Sequence, residues 1–337
     1  MQSENNIPLV AIYMVTYNHE DFIGQAIDSA LMQQTNFSYK LFIGEDCSTD
    51  KTREICIKYA NKHPDKIELI IREKNVGAMN NALSVFKQCI KSDAKYIAMT
   101  EGDDYWTDPL KLQKQVDFLE ANPEYVLCFH KVVLLKNGKE TPDILTKNVP
   151  DITDVLTLSD GNYMHTASVV FKKNNTVLNE FFEIVSSRHL FVGDYILHML
   201  NAKFGKIKKL HDTMGVYRIH EVGVHSLKPQ IEKNKDWMYV LLAMIPFFNK
   251  EVKTKLINNF TILAKTVLIE NELKVEEKTE ILSYLYSFNP SFTLDLLEEI
   301  KILKNDLRIS NQNLNSSRMA IKTILNAVFK TLRFKNE

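Results

Sequence analysis

Cysteine is scarce in this sequence, with four residues at scattered positions. Zinc sites and disulfide frameworks use paired cysteines at short spacings, and no such pair is present in the sequence. The cysteines fall instead in apolar or helical stretches, at Cys47, Cys56, Cys89 and Cys128. This pattern excludes a disulfide-stapled secreted scaffold and favours a reducing, cytoplasmic location.

The sequence also lacks a long hydrophobic run. Residues 1–8 are polar and have neither the basic start nor the apolar centre of a secretion signal. The longest apolar run, near residues 239–248, is too short to cross a bilayer. We therefore expect neither secretion nor a transmembrane helix.

An excess of either charge is missing as well. The 42 basic and 42 acidic side chains balance, so the sequence argues against a nucleic-acid partner. Hydrophobic residues make up 45% and charged residues 25% of the chain, which argues against disorder. The 337 residues suffice for one large α/β domain with a helical appendage or for two modest domains.

The chain does contain an alternation of apolar strands and amphipathic helices. Residues 9–15 are apolar almost throughout, as in a strand buried on both faces of a parallel sheet. The alternation predicts strands at 9–15, 39–44, 67–71 and 95–100 and helices at 22–33, 49–61 and 79–90. It indicates an α/β fold with a Rossmann-like, mostly parallel sheet flanked by helices.

The pattern changes after residue 108. A helix to Ala121 and an apolar run at 125–135 predict that more irregular strands extend the sheet. From about residue 230 onward the apolar spacing is helical. We therefore predict an α/β domain at 1–228, a helical region at 229–310, and a linker with a C-terminal helix at 311–337.

Polar clusters follow all four predicted strands, at 16–18, 45–46, 75–77 and 101–104. Parallel strands bring their carboxyl ends to one edge of a sheet, where ligands bind. The last cluster, Glu101-Gly102-Asp103-Asp104, sets three carboxylates within four residues. Their repulsion favours a cation among them, and Mg²⁺ or Mn²⁺ prefers such oxygen ligands. The alternative is an acidic, solvated turn that caps the next helix. Taken alone, the clusters at 45–46 and 75–77 are mostly typical of turns.

In order and spacing these clusters resemble family 2 glycosyltransferases of the GT-A fold. The resemblance covers about residues 7–226 and depends on the segments VTYNHE at 15–20, GEDCSTD at 44–50, NVG at 75–77 and EGDDYW at 101–106. It implies a nucleotide-diphosphate sugar as donor, with UDP as the first choice, and Mn²⁺ or Mg²⁺ as the metal.

The resemblance also implies roles for individual residues. Those that bind the donor nucleotide would be Thr16, Tyr17, Asn18, Glu20, Glu45, Asp46, Asn75, Gly77, Glu101, Asp104 and Arg218. Within the family's Asp-x-Asp motif, Glu101 would face the ribose and Asp103 would bind the metal. Glu101 departs from the aspartate that is commoner at its position.

Four later segments complete the predicted site. Residues 191–195 resemble the family's segment with the catalytic base, which would be Asp194; taken alone, Asp194 is typical of a helix N-cap. Residues 217–220 and 223–226 resemble a block beside the diphosphate, so that Arg218 could contact phosphate and His220 could complete the metal shell. A structural role is the alternative for any single histidine. Residues 165–168 are candidates for the acceptor side.

The C-terminal residues 318–335 place apolar side chains on one helical stripe among basic ones. Such a helix could lie on an anionic membrane surface, although packing or oligomerisation is the commoner role. Together these features predict an inverting glycosyltransferase that acts on a saccharide or a lipid-linked acceptor in bacterial surface-glycan synthesis. The alternatives are a nucleotidyltransferase that forms sugar nucleotides and a non-catalytic protein of the same fold that binds them.

Overall fold

The computed structural model describes residues 9–187, 190, 193–220, 228–269 and 273–298. The chain forms two compact units, one of residues 1–227 with 246–252 and one of residues 228–245 with 253–337. The predicted segments at 223–226, 311–317 and 318–335 lie outside the described residues, and so do Phe191 and Val192.

The first unit begins with four parallel strands in the order β3-β2-β1-β4. They are β1 (Val10–Thr16), β2 (Tyr39–Glu45), β3 (Ile67–Ile71) and β4 (Tyr96–Glu101), joined by α1 (Ile23–Leu31), α2 (Thr52–Lys62) and α3 (Ala78–Lys91). These elements confirm the predicted alternation. Helix α2 begins three residues later than predicted because the Asp50 side chain accepts a hydrogen bond from the Thr52 amide, 2.9 Å away.

Beyond β4 the same sheet becomes mixed. Its further strands are β5 (Tyr105–Trp106), β6 (Tyr125–Lys136), β7 (Lys139–Pro142), β8 (Ile152–Thr153), β9 (Val170–Lys172) and β10 (Lys206–Ile219). Strand β9 runs antiparallel between β4 and β6, whereas β6 and β10 pair in parallel. Strands β5 and β8 pair with β10, and β7 pairs with β6, all antiparallel. The predicted parallel arrangement thus describes the first half of the sheet.

Four helices and one short turn accompany the mixed half: α4 (Lys111–Ala121), α5 (Val155–Leu158), the 3₁₀ turn Thr166–Ser168, α6 (Asn175–Ser187) and α7 (Asp194–Ala202). Close packing between the layers depends on glycine in one place. A Cβ atom on Gly44 of β2 would lie 2.4 Å from Val85 Cγ2, so only glycine lets α3 approach the sheet this closely.

Lysine 111 lies at the start of α4 and is buried in the core beside Trp106. Its Nζ lies 3.9 Å from the centre of the Trp106 ring and, among the described residues, has no hydrogen-bond partner. Burial lowers the pKa of Lys111 to about 7, because a charged ammonium is disfavoured in the apolar interior. The buried Lys111 side chain therefore lowers the stability of the fold more at low pH, where it is charged, than at high pH, where it is neutral.

We expect Lys111→Met to raise the unfolding midpoint most below pH 7. The unfolded lysine titrates near pH 10.5, so between about pH 7 and pH 10.5 only the unfolded wild type holds the proton. Wild-type stability therefore rises through that window by about 1.4 kcal/mol per pH unit at most, and the advantage of the variant shrinks accordingly. Urea unfolding at pH 6 and pH 9.5 measures both. Lys114→Met, at a half-exposed lysine one turn later, serves as the control, and equal gains at both pH values would contradict the expectation.

The second unit is helical in its described part. Its residues come from α8 (Gln230–Met244), most of α9 (Lys250–Ile269) and α10 (Val275–Phe288). The rings of Phe260 and Phe288 meet edge to face with centroids 5.7 Å apart, and Leu256, Ile281 and Leu285 are buried. No helix among the described residues combines the length and the apolar character that crossing a membrane requires.

Candidate active site

The loops after β1 and β2 are fastened to each other. The Asn18 side chain accepts a hydrogen bond from the Thr49 amide at 2.8 Å, and the Glu20 side chain accepts one from the Lys51 amide at 2.9 Å. Asn18 adopts a positive φ of 54°, a conformation that asparagine tolerates better than most residues. Asn18 and Glu20, two of the predicted nucleotide ligands, therefore hold the two loops together through hydrogen bonds to backbone amides.

Glu45 has a similar internal role. Its side chain is fully buried, with Oε2 2.6 Å from Arg53 Nε and Oε1 2.6 Å from the Ser48 amide. A carboxylate with these two partners is satisfied without a ligand. Tyr17 contrasts with it, because its side chain remains 37% exposed at the same edge.

Asp46 is buried but only half satisfied. Its Oδ1 accepts a hydrogen bond from the Val76 amide at 2.8 Å, which joins the loop after β2 to the loop after β3. Its Oδ2 is buried without a hydrogen-bond partner among the described residues. An unpaired buried acceptor is costly, so Asp46 Oδ2 is a candidate to accept a hydrogen bond from a ligand. Nearby, Gly77 has a φ of 85° and donates its amide to Asn75 Oδ1 at 3.0 Å, just before α3 begins.

The acidic loop after β4 packs against the end of β1. A Cβ atom on Gly102 would lie 2.6 Å from Thr16 Oγ1 and 2.7 Å from Thr16 Cβ. Only glycine allows this approach, which fixes the position of Asp103 relative to β1. The buried Thr16 hydroxyl in turn lies 3.2 Å from His19 Nδ1.

Two histidines meet Asp103 at one carboxylate oxygen. Asp103 Oδ2 lies 2.9 Å from His220 Nε2 and 3.7 Å from His19 Nε2. His19 and His220 lie on opposite sides of the loop in sequence, yet their rings are 6.0 Å apart. Burial lowers the pKa of His19, which keeps its ring neutral and its Nε2 available as a ligand.

The pKa values of the three carboxyl groups in the loop are shifted in different directions. Burial, together with the nearby charges of Asp103 and Asp194, raises the pKa of Glu101 to about 8. Burial likewise raises the pKa of Asp104 well above its ordinary value. Burial opposes ionisation of Asp103 too, but the hydrogen bond with His220 and the electrostatic influence of the two histidines outweigh it and lower the pKa of Asp103. Asp103 is therefore the member of the loop that ionises most readily, and the raised pKa values of Glu101 and Asp104 reflect the repulsion expected from the sequence.

Arg218 supports this loop. Its amide donates to Asp104 Oδ1 at 2.9 Å, and its guanidinium donates to the Asp103 carbonyl and to Gln25. The guanidinium also lies over the rings of Phe22 and Tyr105, at 5.0 and 4.4 Å. Arg218 was predicted as a phosphate contact. In the structure its hydrogen bonds to the acidic loop hold Asp103 in place.

A divalent metal fits this donor set. Two groups bring their ligand atoms within 4.8 Å of one another: His19, Asp103 and His220, or Glu101, Asp103 and Asp104. The first group offers one carboxylate and two imidazole nitrogens, of which the carboxylate suits Mn²⁺ or Mg²⁺ and the imidazoles suit softer ions such as Zn²⁺. The second group offers three carboxylates, whose oxygen atoms are the ligands that Mn²⁺ and Mg²⁺ prefer. Asp103 belongs to both groups, and His220 is the second predicted metal ligand.

Asp194 is the first residue of α7, and the residue in the N-cap position is Gly193. The alternative that Asp194 is the N-cap is therefore wrong. Its Oδ2 accepts hydrogen bonds from Asn162 Nδ2 at 3.1 Å and from Thr166 Oγ1 at 3.3 Å. Its charge contributes to the raised pKa of Glu101, so the two carboxyl groups share one region of the molecule.

His19 and Asn162 were not among the site residues predicted from the sequence, whereas Thr166 lies in the segment 165–168 that was predicted for the acceptor side. His19 lies in the segment 15–20 on which the resemblance depends, but its contact with Asp103 depends on how the two loops pack. Asn162 and Thr166 precede Asp194 by about thirty residues, and no spacing rule connects them to it.

We expect His19→Gln to weaken Mn²⁺ binding by about 10- to 100-fold, the loss typical when the surroundings of a metal are altered. Glutamine retains a polar group near Thr16 but removes the imidazole nitrogen that faces Asp103. Titration of Mn²⁺ by electron paramagnetic resonance measures the affinity, with His63→Gln, at the end of α2, as the control. Loss of Mn²⁺ binding in Glu101→Gln but not in His19→Gln would instead favour the group of three carboxylates.

Comparison with known proteins agrees with this fold. The family model "Glycosyl transferase family 2" matches residues 11–175. An uncharacterized protein of Mycobacterium tuberculosis is 34% identical over 231 residues, which are 68% of this chain and 63% of that protein. A Bacillus subtilis protein named as a teichuronic acid biosynthesis glycosyltransferase, TuaG, is 34% identical over 112 residues, or 33% of this chain and 42% of TuaG.

The solved structure of TarS from S. aureus in complex with UDP has a TM-score of 0.54 and 15% identity, and covers 85% of this chain and 82% of that one. This likeness concerns the fold. The chain spans less than two thirds of the mycobacterial relative's length. Because the family model begins in β1 and ends at the start of α6, it takes in the acidic loop and the edge of the sheet around it. The chain belongs to glycosyl transferase family 2 and has the family's GT-A fold.

Proposed function

We propose that this protein transfers a sugar from a nucleotide-diphosphate sugar to a hydroxyl of a saccharide or lipid-linked acceptor, with inversion at the anomeric carbon. One observation carries the proposal: Asp103, in contact with two histidines, and the hydrogen-bonded carboxylate of Asp194 both lie near enough to Glu101 for their charges to raise its pKa. This arrangement supports a diphosphate site and a base in one place.

The donor nucleotide is best accommodated at Asp46. Its unpaired Oδ2 suits the ring N–H of uracil, and the half-exposed ring of Tyr17 offers a face for the base. A uridine nucleotide is our first choice, in keeping with the UDP bound to TarS. Glu101, at the first position of the Asp-x-Asp motif, is proposed to face the ribose.

Asp103, His220 and His19 would hold Mn²⁺ or Mg²⁺. When bound, such an ion neutralises the charge that develops on a departing diphosphate. The protein's own contribution is to fix the Asp103 carboxylate by means of the Gly102 approach and the Arg218 contacts. His19 is oriented through its other ring nitrogen by Thr16, an outer contact of the kind that tunes metal ligands.

Asp194 acts as the general base. Its carboxylate accepts the proton of the acceptor hydroxyl while that oxygen bonds to the anomeric carbon, and the bond from this carbon to the diphosphate oxygen breaks on the opposite face. Asn162 and Thr166 hold Oδ2, and the Tyr195 amide holds Oδ1 at 2.8 Å. These hydrogen bonds fix the carboxylate before the acceptor arrives, which reduces the cost of orientation.

The acceptor is proposed to be a bacterial surface glycan or its lipid-linked precursor, in keeping with the name of TuaG. We further propose that the protein acts in the cytoplasm, where sugar nucleotides are made. The four cysteines are free thiols, three of them buried, which agrees with a reducing compartment.

Release of nucleoside diphosphate from a panel of UDP-, GDP- and dTDP-sugars, with Mn²⁺ and a mixture of oligosaccharide acceptors, tests the proposal. Release of UDP from one donor supports it. Pyrophosphate release from UTP and a sugar phosphate would instead indicate a nucleotidyltransferase. Tight donor binding without turnover on any acceptor would favour a non-catalytic binding protein.

A further inference from the structure

Aliphatic side chains project into solvent from the loop that follows β7. Ile144 is 79% exposed, Leu145 is 44% exposed, and Ile152 in β8 is 52% exposed. Single exposed aliphatic residues are ordinary, but three within one short segment form a feature that calls for a partner. We refer to residues 143–152 as the 143–152 loop.

This loop has a fixed backbone. The Asp143 carboxylate accepts hydrogen bonds from the Leu145 amide at 2.8 Å and from the Thr146 hydroxyl at 2.8 Å. The buried Lys209 ammonium donates hydrogen bonds to the carbonyls of Thr146 and Val149 on the inner side of the loop. The exposure of Ile144 and Leu145 is therefore a property of an ordered turn rather than of a loose one.

The stretch around the loop presents more lysines than unpaired carboxylates to solvent. Residues 131–154 contain the four lysines Lys131, Lys136, Lys139 and Lys147 and the four carboxylates Glu140, Asp143, Asp151 and Asp154. The Asp143 side chain is only 2% exposed, and Asp151 pairs with His211 at 2.6 Å and with Lys209 at 3.8 Å. Lys136, Lys139 and Lys147 are exposed. Lys208 lies directly across from Ile152 in the pairing of β8 with β10. Exposed aliphatic groups among lysines are the composition of a surface that binds anionic lipid headgroups.

The loop adjoins the side of the site that contains Asp194. Asp143 Oδ1 lies 3.2 Å from His165 Nε2, and the residue after His165 is Thr166, whose hydroxyl contacts Asp194. The His165 ring also packs on Tyr217, with centroids 4.7 Å apart. The anchor of the loop and the partner of Asp194 are thus consecutive residues.

We propose that the 143–152 loop docks on an anionic lipid bilayer, with Ile144 and Leu145 inserted at the level of the headgroups and the lysines paired with lipid phosphates. The contact goes beyond the proposed transfer and does not require it. It would hold the Asp194 side of the site toward the membrane surface, where a lipid-linked acceptor presents its hydroxyl.

A fluorescent label tests the contact at the residue itself. Ile144→Cys is labelled with an environment-sensitive nitrobenzoxadiazole group in a full-length Cys47→Ser background, because the other three cysteines are buried. With vesicles of phosphatidylglycerol and phosphatidylcholine we expect a blue shift and a brighter signal, and with phosphatidylcholine alone a much smaller change. The same label at Ile57, 37% exposed on α2 at the opposite end of the sheet, should not respond.

Vesicle sedimentation gives a second measurement. Joint replacement of Ile144 and Leu145 by serine should weaken binding by about tenfold or more, since two aliphatic side chains lose their burial. Lys147→Gln should weaken it by about fivefold. The proposal is overturned if the protein does not sediment with anionic vesicles, or if it does so while the Ile144 label is silent. A label that responds to protein concentration without vesicles would identify a second copy as the partner, and would also overturn it.

Discussion

The Asp103→Asn variant is expected to lose transfer activity by roughly a thousandfold, together with its Mn²⁺ binding. Asp103 is the carboxylate of the acidic loop that ionises most readily, and its Oδ2 is the atom on which His19 and His220 converge. Asparagine keeps the shape of the side chain but removes the negative charge, so the metal and the diphosphate lose their anchor. Loss of several kcal/mol of charge stabilisation corresponds to a rate change of this size.

The measurement is the rate of nucleoside diphosphate release across a range of Mn²⁺ concentrations, with the thermal unfolding midpoint as a check on folding. Asp117→Asn is the matched control, because Asp117 is an exposed carboxylate on α4 that contacts Gln113. We expect the control to behave as wild type. An Asp103→Asn protein that retains metal-dependent turnover would show that the metal binds elsewhere.

The Asp194→Asn variant is expected to lose transfer by roughly 100- to 10,000-fold while it binds donor nucleotide as tightly as the wild type. The amide fits the same space but cannot accept the proton of the acceptor hydroxyl. Because Asp194 is held by Asn162, Thr166 and the Tyr195 amide and is not among the candidate metal ligands, donor binding should not depend on it.

Two measurements separate these effects: turnover with saturating acceptor, and titration of the nucleotide in the presence of Mn²⁺. Asp154→Asn provides the control, because Asp154 is a true helix N-cap that accepts the Thr157 amide at 2.8 Å in α5. A general effect of aspartate loss on folding would appear in both variants. Full turnover in Asp194→Asn would show that a group other than Asp194 acts as the base.

The first half of the sheet was predictable from sequence because its signals are local. Strands buried on both faces are apolar throughout, as in β1, and the helices between them show their own periodicity. Since parallel strands end at one edge, the gathering of residues 16–20, 45–50, 75–77 and 101–104 also followed from the order of elements. The same argument predicted that the acidic loop, residues 101–104, lies at this edge.

The fine structure of the site was not predictable, because it depends on contacts between loops. Glu45 has the sequence context of a ligand, yet Arg53 and the Ser48 amide satisfy it. His19 gains its significance only when Gly102 lets the acidic loop approach Thr16. The antiparallel strand β9 between β4 and β6 is equally hidden, since its three residues carry no periodicity of their own.

The central claim is that a nucleotide and a divalent metal bind together at the end of this sheet. Calorimetric titration of UDP, GDP and dTDP into the purified protein, each with and without Mn²⁺, tests it most directly. We predict that UDP binds, that Mn²⁺ tightens its binding, and that Asp103→Asn abolishes the effect of the metal. Failure of all three nucleotides to bind, with or without Mn²⁺, would contradict the proposed transferase function while leaving the fold unchanged.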